Sequence, residues 1–226
     1  MLTVIVRLIA DAALVGGVMF VSAGTVAWWR AWVLLAVLLV VRIVTAIVVR
    51  RVNPALIQER AKLPIHFDQP WTDKLLILTV ISTGFLGLPI VAAFDVFRWH
   101  MLPRPTLPMA DIGLVLFTLG WVIKGLALHA NAFAIAVVRL QRERQHAVAV
   151  GGVYRIVRHP FYAGTVFVLV GLGLWLESYA AVLSAIVPIT FMVIRLLLEE
   201  RFLQRELPNY SEYAARVPHR LIPGIW

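Results

Sequence analysis

Six stretches of this chain carry so little charge that lipid, rather than water, is their natural solvent. They run at roughly 4–27, 31–49, 74–94, 110–130, 161–176 and 179–198. A helix that crosses a bilayer needs about 20 apolar residues. The first four stretches meet that length and the fifth falls short. Only the turn-like Glu177-Ser178-Tyr179 separates the fifth from the sixth. That spacing predicts a tight helical hairpin, with Pro188 kinking its second arm. The fold class expected is all-α: a polytopic integral membrane helical bundle of about six hydrophobic helices, the last two forming a hairpin.

Composition narrows the function. Hydrophobic residues make up 61% of the chain and charged residues 15%, against about half apolar in a soluble domain. There is no cysteine, which removes thiolate catalysis, disulfides and zinc–thiolate sites. No metal site is expected. The net charge of +9 would suggest nucleic acid in a soluble protein, but here the positive-inside bias accounts for it and no nucleic-acid partner is expected. Arg7 and Asp11 interrupt the first apolar run, and no small-x-small cleavage site opens onto a polar region, so it reads as a retained helix. No internal repeat is apparent.

The cations set an orientation. Arg50, Arg51, Arg60, Lys62 and Lys74 belong to the second connection, Arg139, Arg142, Arg144, Arg155 and Arg158 to the fourth, and Arg201, Arg205, Arg216 and Arg220 to the tail. Six crossings put all fourteen on one face, expected to be cytoplasmic together with both termini. Arg30, Arg98 and Arg104 lie opposite, where Trp28, Trp29, Trp32 and Trp99 suit the headgroup level. LPRPTLP at 102–108 reads as a rigid external loop. The lack of cysteine and the Arg/Ala/Val-rich composition fit a bacterial inner-membrane protein.

Two polar clusters fall at the same depth on the charge-rich side. The first is GGVYRIVRHPFYAG, residues 151–164. Pro160 has no N–H and suits the first position of a helix, which puts His159 at the cap. The amides of that first turn offer an anion site, with Arg158 and His159 beside it. Tyr162 lies one turn on and shares their side. Gly164 permits close approach of another backbone. The second cluster is RLLLEERFLQRE, residues 195–206. Arg195 and Glu199 share a helix face, and Glu200 points about 100° away. An arginine inside an apolar segment is costly and faces a partner or a wet cavity. Paired helices would bring Tyr154, His159 and Tyr162 opposite Arg195, Glu199 and Glu200.

A ligand for that set carries an anion, an ammonium and a flat ring. S-adenosylmethionine has all three. A reduced nicotinamide dinucleotide would also use arginines and aromatics, which leaves a sterol-type membrane reductase as an alternative. A nonenzymatic membrane partner protein is a third reading. Lys124, His129 and Asn131 at the end of the fourth span could line a route for a lipid-linked acceptor, or pack between helices with the lysine reaching for water.

The paired motifs, G-x-Y-x-x-x-R-H-P-x-Y-x-G followed by R-x-x-x-E-E and Y-x-x-Y, resemble the isoprenylcysteine carboxyl methyltransferase family and the related membrane phospholipid methyltransferases. The likeness is most specific over 139–226 and looser upstream, through WWRAWVLLA and NPALIQERA. It implies an integral membrane enzyme that uses S-adenosylmethionine. Carried over by position, it implies cofactor contacts from His146, Ala147, Val148 and Ala149, from Tyr154, from His159, Pro160, Phe161 and Tyr162, and from Glu199. Gln141 is a further cofactor candidate. Arg195 takes the place where the family holds the acceptor carboxylate, and Glu200 supports it or faces a basic tail residue. Val153 replaces a proline of many bacterial members, and Phe-Ser is missing after Asn-x-Phe at 131–133. Those changes fall where acceptor access is shaped.

The resulting expectation is methyl transfer to a lipid or lipid-linked small acceptor, with a carboxylate preferred and an amine headgroup as the alternative. Residues 1–138 would supply transmembrane helices, and 139–226 the S-adenosylmethionine-binding catalytic region. Sequence does not fix the oligomeric state.

Overall fold

The computed structural model describes residues 2–60, 70–135 and 147–226. The described residues are helical and contain no strand. The first span is α1, Leu2–Ala23, and the second is α2, Trp29–Val52, followed by the short α3, Pro54–Arg60. Next come α4, Trp71–Trp99, and α5, Leu107–Ala130. The hairpin follows as α6, Pro160–Trp175, and α7, Tyr179–Glu206, and the tail carries α8, Tyr210–Arg216. Five of these helices are long and apolar enough to cross a membrane, and α6, at 16 residues, is shorter. Side chains such as Leu14, Val21, Val40, Val115 and Ile186 stay exposed on the outside, as lipid-facing positions require. The domain boundary expected at 138/139 lies outside the described residues.

Proline and serine shape the hairpin as their chemistry dictates. Pro188 cannot donate to the carbonyl four residues back. Accordingly α7 is interrupted at Ala185, with helix on either side at Tyr179–Ser184 and Ile186–Glu206. In the turn before it, the Ser178 hydroxyl accepts from Ala181 N at 3.0 Å and donates to Asp95 Oδ2 at 2.7 Å. Asp95 Oδ1 accepts from Met101 N in turn, so one buried carboxylate pins both the hairpin and the 100–106 loop. The end of α4 closes with His100 at φ 49°. Two π-helical stretches within α4, Ile81–Gly87 and Asp95–Trp99, have no signature in the hydropathy.

Glycine controls the packing of α5 on α6, the most extensive helix pair. A Cβ at Gly120 would sit 2.5 Å from Gly164 O, and one at Gly113 would sit 2.5 Å from Trp175 N. Backbone therefore touches backbone at two levels, which only small residues allow between membrane helices. Gly120→Val is expected to cost about 1–3 kcal/mol by overpacking and to lower the thermal midpoint in detergent. Gly17→Val, at an exposed position with nothing within 4 Å of its Cβ, is the control and should change it little.

Two interface expectations change. Trp28 is buried rather than set at the headgroups, packing edge-on against Phe97 at 5.2 Å, whereas Trp29, Trp32 and Trp99 are exposed. Arg30 is also buried: it pairs with Glu177 at 2.9 Å and lies 4.6 and 4.5 Å from the Trp29 and Trp175 ring centroids.

Candidate functional site

The opposite end of the bundle gathers the C-termini of α2, α5 and α7, the N-termini of α4 and α6, and α3. A cavity of about 590 Å³ lies there. The two polar clusters read from the sequence form part of one wall.

His159 caps α6 and Pro160 occupies its first turn, as the proline requires. The first-turn anion site is narrower than the sequence suggests, because the Tyr162 and Ala163 amides both bond back to His159 O. The tail holds this turn from behind. His219 O accepts from Arg158 N at 2.9 Å, and Arg220 O accepts from His159 N at 3.0 Å.

Across from this turn, the α7 side chains meet Tyr162. Its hydroxyl donates to Glu199 Oε2 at 2.5 Å and accepts from Arg195 Nη1 at 2.5 Å. Arg195 Nε donates to Asp73 Oδ1 at 2.7 Å. Asp73 stands in the first turn of α4, where sequence reads an acidic residue as a partner for the helix dipole. Its part in the site, like that of Arg42, Phe85 and Trp121 on the cavity wall, has no signal in the sequence. Its effect is direct: a guanidinium expected to grip a ligand carboxylate already holds a protein one.

Glu200 turns away from the cavity lining. At 3% exposure it pairs with Arg158 at 2.9 Å and with Arg220 at 2.5 Å. Of the two expected roles, facing a basic tail residue is the one the geometry gives it. His159 Nε2 stands 3.9 Å from the same carboxylate, beyond hydrogen-bond reach.

The remaining candidates divide clearly. Ala147, Val148, Ala149, Tyr154, Arg158, His159, Phe161 and Tyr162 line the cavity with Arg195 and Glu199, whereas Pro160 does not. Gln141 and His146 lie outside the described residues. Asn131 lines the cavity and donates to Tyr154 Oη at 3.2 Å. His129 is exposed and takes no part. Lys124 does not reach for water: it is buried, and its ammonium donates to Thr165 Oγ1 at 2.9 Å.

Burial sets the charge state of the wall outside the spans. It pushes the Tyr154 phenol up to about 12, and it raises Tyr210 and Tyr213 well above the ordinary phenol range. All three are protonated donors at neutral pH. Tyr213 spends its proton on Tyr154 O at 2.8 Å. Burial, with Arg42 adding to it, lowers Arg60 to about 10, which leaves it charged. Among the described residues, four buried polar atoms on the lining residues have no hydrogen-bond partner: Trp121 Nε1, Arg158 Nε, His159 Nε2 and Tyr210 Oη. Buried polar groups are nearly always satisfied, so these are the positions where the lining residues have hydrogen-bonding capacity left over.

Residues 109–209 match the model of the phospholipid methyltransferase family. The chain is 32% identical over 113 residues to protein-S-isoprenylcysteine O-methyltransferase B of Arabidopsis thaliana, covering 49% of this chain and 57% of that protein. It is 36% identical over 117 residues to the probable protein-S-isoprenylcysteine O-methyltransferase of Oryza sativa subsp. japonica, covering 50% and 61%. It is also 30% identical over 109 residues to the cobalt-zinc-cadmium resistance protein CzcN of Cupriavidus metallidurans, covering 46% and 48%. The chain thus spans about half the length of the curated relatives it matches. The resemblance to the isoprenylcysteine carboxyl methyltransferase family is upheld by these matches.

Proposed function

From that family resemblance we propose that this integral membrane protein is an S-adenosylmethionine-dependent methyltransferase acting on a lipid-like or lipid-modified carboxylate. The observation that carries the proposal is the Arg195–Tyr162–Glu199 chain on the wall of a buried cavity, inside the region matched to a methyltransferase family. Residues 139–226 supply most of the cofactor wall in this reading. The charge-rich end faces the cytoplasm of a bacterial inner membrane.

The residues fit the cofactor. A volume of about 590 Å³ falls in the range of small-molecule sites. Glu199 offers a carboxylate to an ammonium, and Arg158 and His159 offer unpartnered nitrogens to a carboxylate or ribose. Tyr154 gives an aromatic surface of the kind a ring or a sulfonium favours, and Phe161 stands beside it on the same wall. Bound there, S-adenosylmethionine would supply an electrophilic methyl on a cationic sulfur. Tyr162 holds Glu199, Arg195 holds the Tyr162 hydroxyl, and Asp73 holds Arg195. Glu200 keeps Arg158 and the tail in register behind His159. The protein's part is to align donor and acceptor and exclude water, for which effective molarity is worth ~7–11 kcal/mol. A carboxylate acceptor needs no base.

Arg195→Lys is expected to spare cofactor binding and to lower turnover at least about tenfold. A single ammonium cannot serve Asp73 and Tyr162 with the planar geometry of a guanidinium, and small misplacements cost up to ~10²-fold. Single-turnover kinetics on the purified variant would check this. The functional reading itself is tested by binding of labelled S-adenosylmethionine against NADPH to the purified protein in detergent. Preference for NADPH, or binding of neither, would sink it. Mass spectrometry of host lipids with and without the gene, searching for a species heavier by one methylene, would then identify the acceptor. The same comparison separates carboxyl methylation from the second reading, methylation of a phospholipid amine, which the matched family's description favours.

A further inference from the structure

Lys124 is an ammonium buried at 5% exposure on the cavity wall, 41 residues from the threonine it bonds. Among the described residues it has no carboxylate partner. Thr165 Oγ1 takes one of its three protons, and that hydroxyl's own proton goes to Phe161 O at 3.0 Å. Around the ammonium stand three aromatic rings, with centroids 4.3 Å away for Phe161, 4.8 Å for Trp121 and 5.5 Å for Phe85. Ring faces repay part of the cost of burying a cation. An anion repays more.

The neighbouring charges point the same way. Arg42 lies 5.5 Å from the Trp121 centroid and Arg60 lies 4.9 Å from the Phe161 centroid, so each ring is shared by two cations. Arg7, Arg158 and Arg195 also line the cavity. Of its carboxylates, Asp11 is paired with Arg42 at 2.7 Å and Glu59 has a partner of its own, while Glu199 accepts from the neutral Tyr162 phenol at 2.5 Å and keeps its charge for the cofactor ammonium. Beside Lys124, the Trp121 indole N–H is buried without an acceptor. Both residues line the same cavity, and among the described residues the ammonium has one acceptor and the indole N–H none. An amine headgroup would meet repulsion there.

We propose that Lys124, with Trp121 Nε1, is the subsite that holds the carboxylate of an acidic amphiphile. The tail of that amphiphile would follow the apolar wall at Val4, Leu8, Leu38 and Ile57. The proposal deepens the methyltransferase reading and rests on it for the reaction. It relieves Arg195, already committed to Asp73, of the acceptor. A point charge on one oxygen leaves the second oxygen free to attack, which a bidentate guanidinium would not do as readily. In the step, that oxygen forms a bond to the methyl carbon as the methyl–sulfur bond breaks. The electron pair passes to sulfur, giving a neutral thioether and a neutral ester, and no proton moves. Lys124 then faces an uncharged product, which weakens its grip.

The test uses the full chain in phosphatidylcholine nanodiscs, with cis-parinaric acid and its methyl ester as fluorescent probes. S-adenosylmethionine binding is measured on the same samples. Wild type is expected to prefer the acid over the ester by about tenfold or more. Lys124→Met, an apolar chain of similar length, is expected to bring that ratio to about twofold with S-adenosylmethionine affinity kept. Trp121→Phe, which removes the N–H and keeps a ring, should lower it by about threefold. No acid preference in wild type, or a ratio unchanged in both variants, overturns the subsite. Acid preference lost in Lys124→Met, in a protein that never binds S-adenosylmethionine, would keep the subsite and sink the methyltransferase reading.

Discussion

Glu199→Gln is expected to weaken S-adenosylmethionine binding by about tenfold to a hundredfold, the worth of one hydrogen bond to a charged group. The substitution is nearly isosteric. Tyr162 can still donate to the amide oxygen at the position where it now meets Glu199 Oε2, and Arg195 still reaches both Tyr162 and Asp73. The shape of the site is kept and only its negative charge is lost. Titration calorimetry on the purified variant and wild type reads that charge directly. Equal affinities would remove Glu199 as the acceptor for the cofactor ammonium and transfer the question to the other end of the cavity.

The second large effect concerns stability. Glu200→Ala should cost about 3–5 kcal/mol, because it strips the carboxylate from two arginines that surround it in a buried site. Arg158 is itself 9% exposed, and among the described residues its guanidinium would be left with Pro218 O, at 3.2 Å, as its acceptor. The loss should appear as a lower thermal midpoint in detergent and as earlier proteolysis of the tail beyond Leu207. A midpoint equal to wild type would mean that the backbone bonds from Arg158 and His159 to the tail hold it without the carboxylate. Glu200→Gln should be milder, since one amide oxygen still serves Arg220.

Sequence foretells best what is decided locally. The spans follow from apolar run length, and their ends fall within about five residues of the structural helices except at the last, where α7 continues eight residues past 198 to Glu206 through a charged stretch with no apolar signal. The proline at 160 marks the start of α6 because its missing N–H belongs there. The meeting of Tyr162 with Arg195 and Glu199 was legible because a short turn forces α6 and α7 together and a spacing of four puts Arg195 and Glu199 on one face. What stayed hidden depends on contacts between distant parts of the chain. Asp73 lies 122 positions from Arg195, and nothing near Asp73 marks it as more than a helix-start acid. Lys124 could equally have bent to the surface, and its confinement follows from the rings of Phe85, Trp121 and Phe161 on two other turns and helices. For Glu200 a basic tail residue is one of two expected partners, but which one, and that Arg158 from the turn before α6 joins it, depends on the tail folding back. The π-helical turns of α4 have no compositional trace.

The glycine contacts between α5 and α6 carry a mechanical consequence. Two helices whose main chains touch at Gly113 and Gly120 have no room to shear or spread, so they move as a single beam. Lys124, Phe161, Tyr162 and Thr165 all ride on that beam, and the separation between the buried ammonium and the phenol stays constant through any breathing of the bundle. Whatever widens to admit a tailed molecule must come from α1, α2 or α4, which face the beam across the hollow.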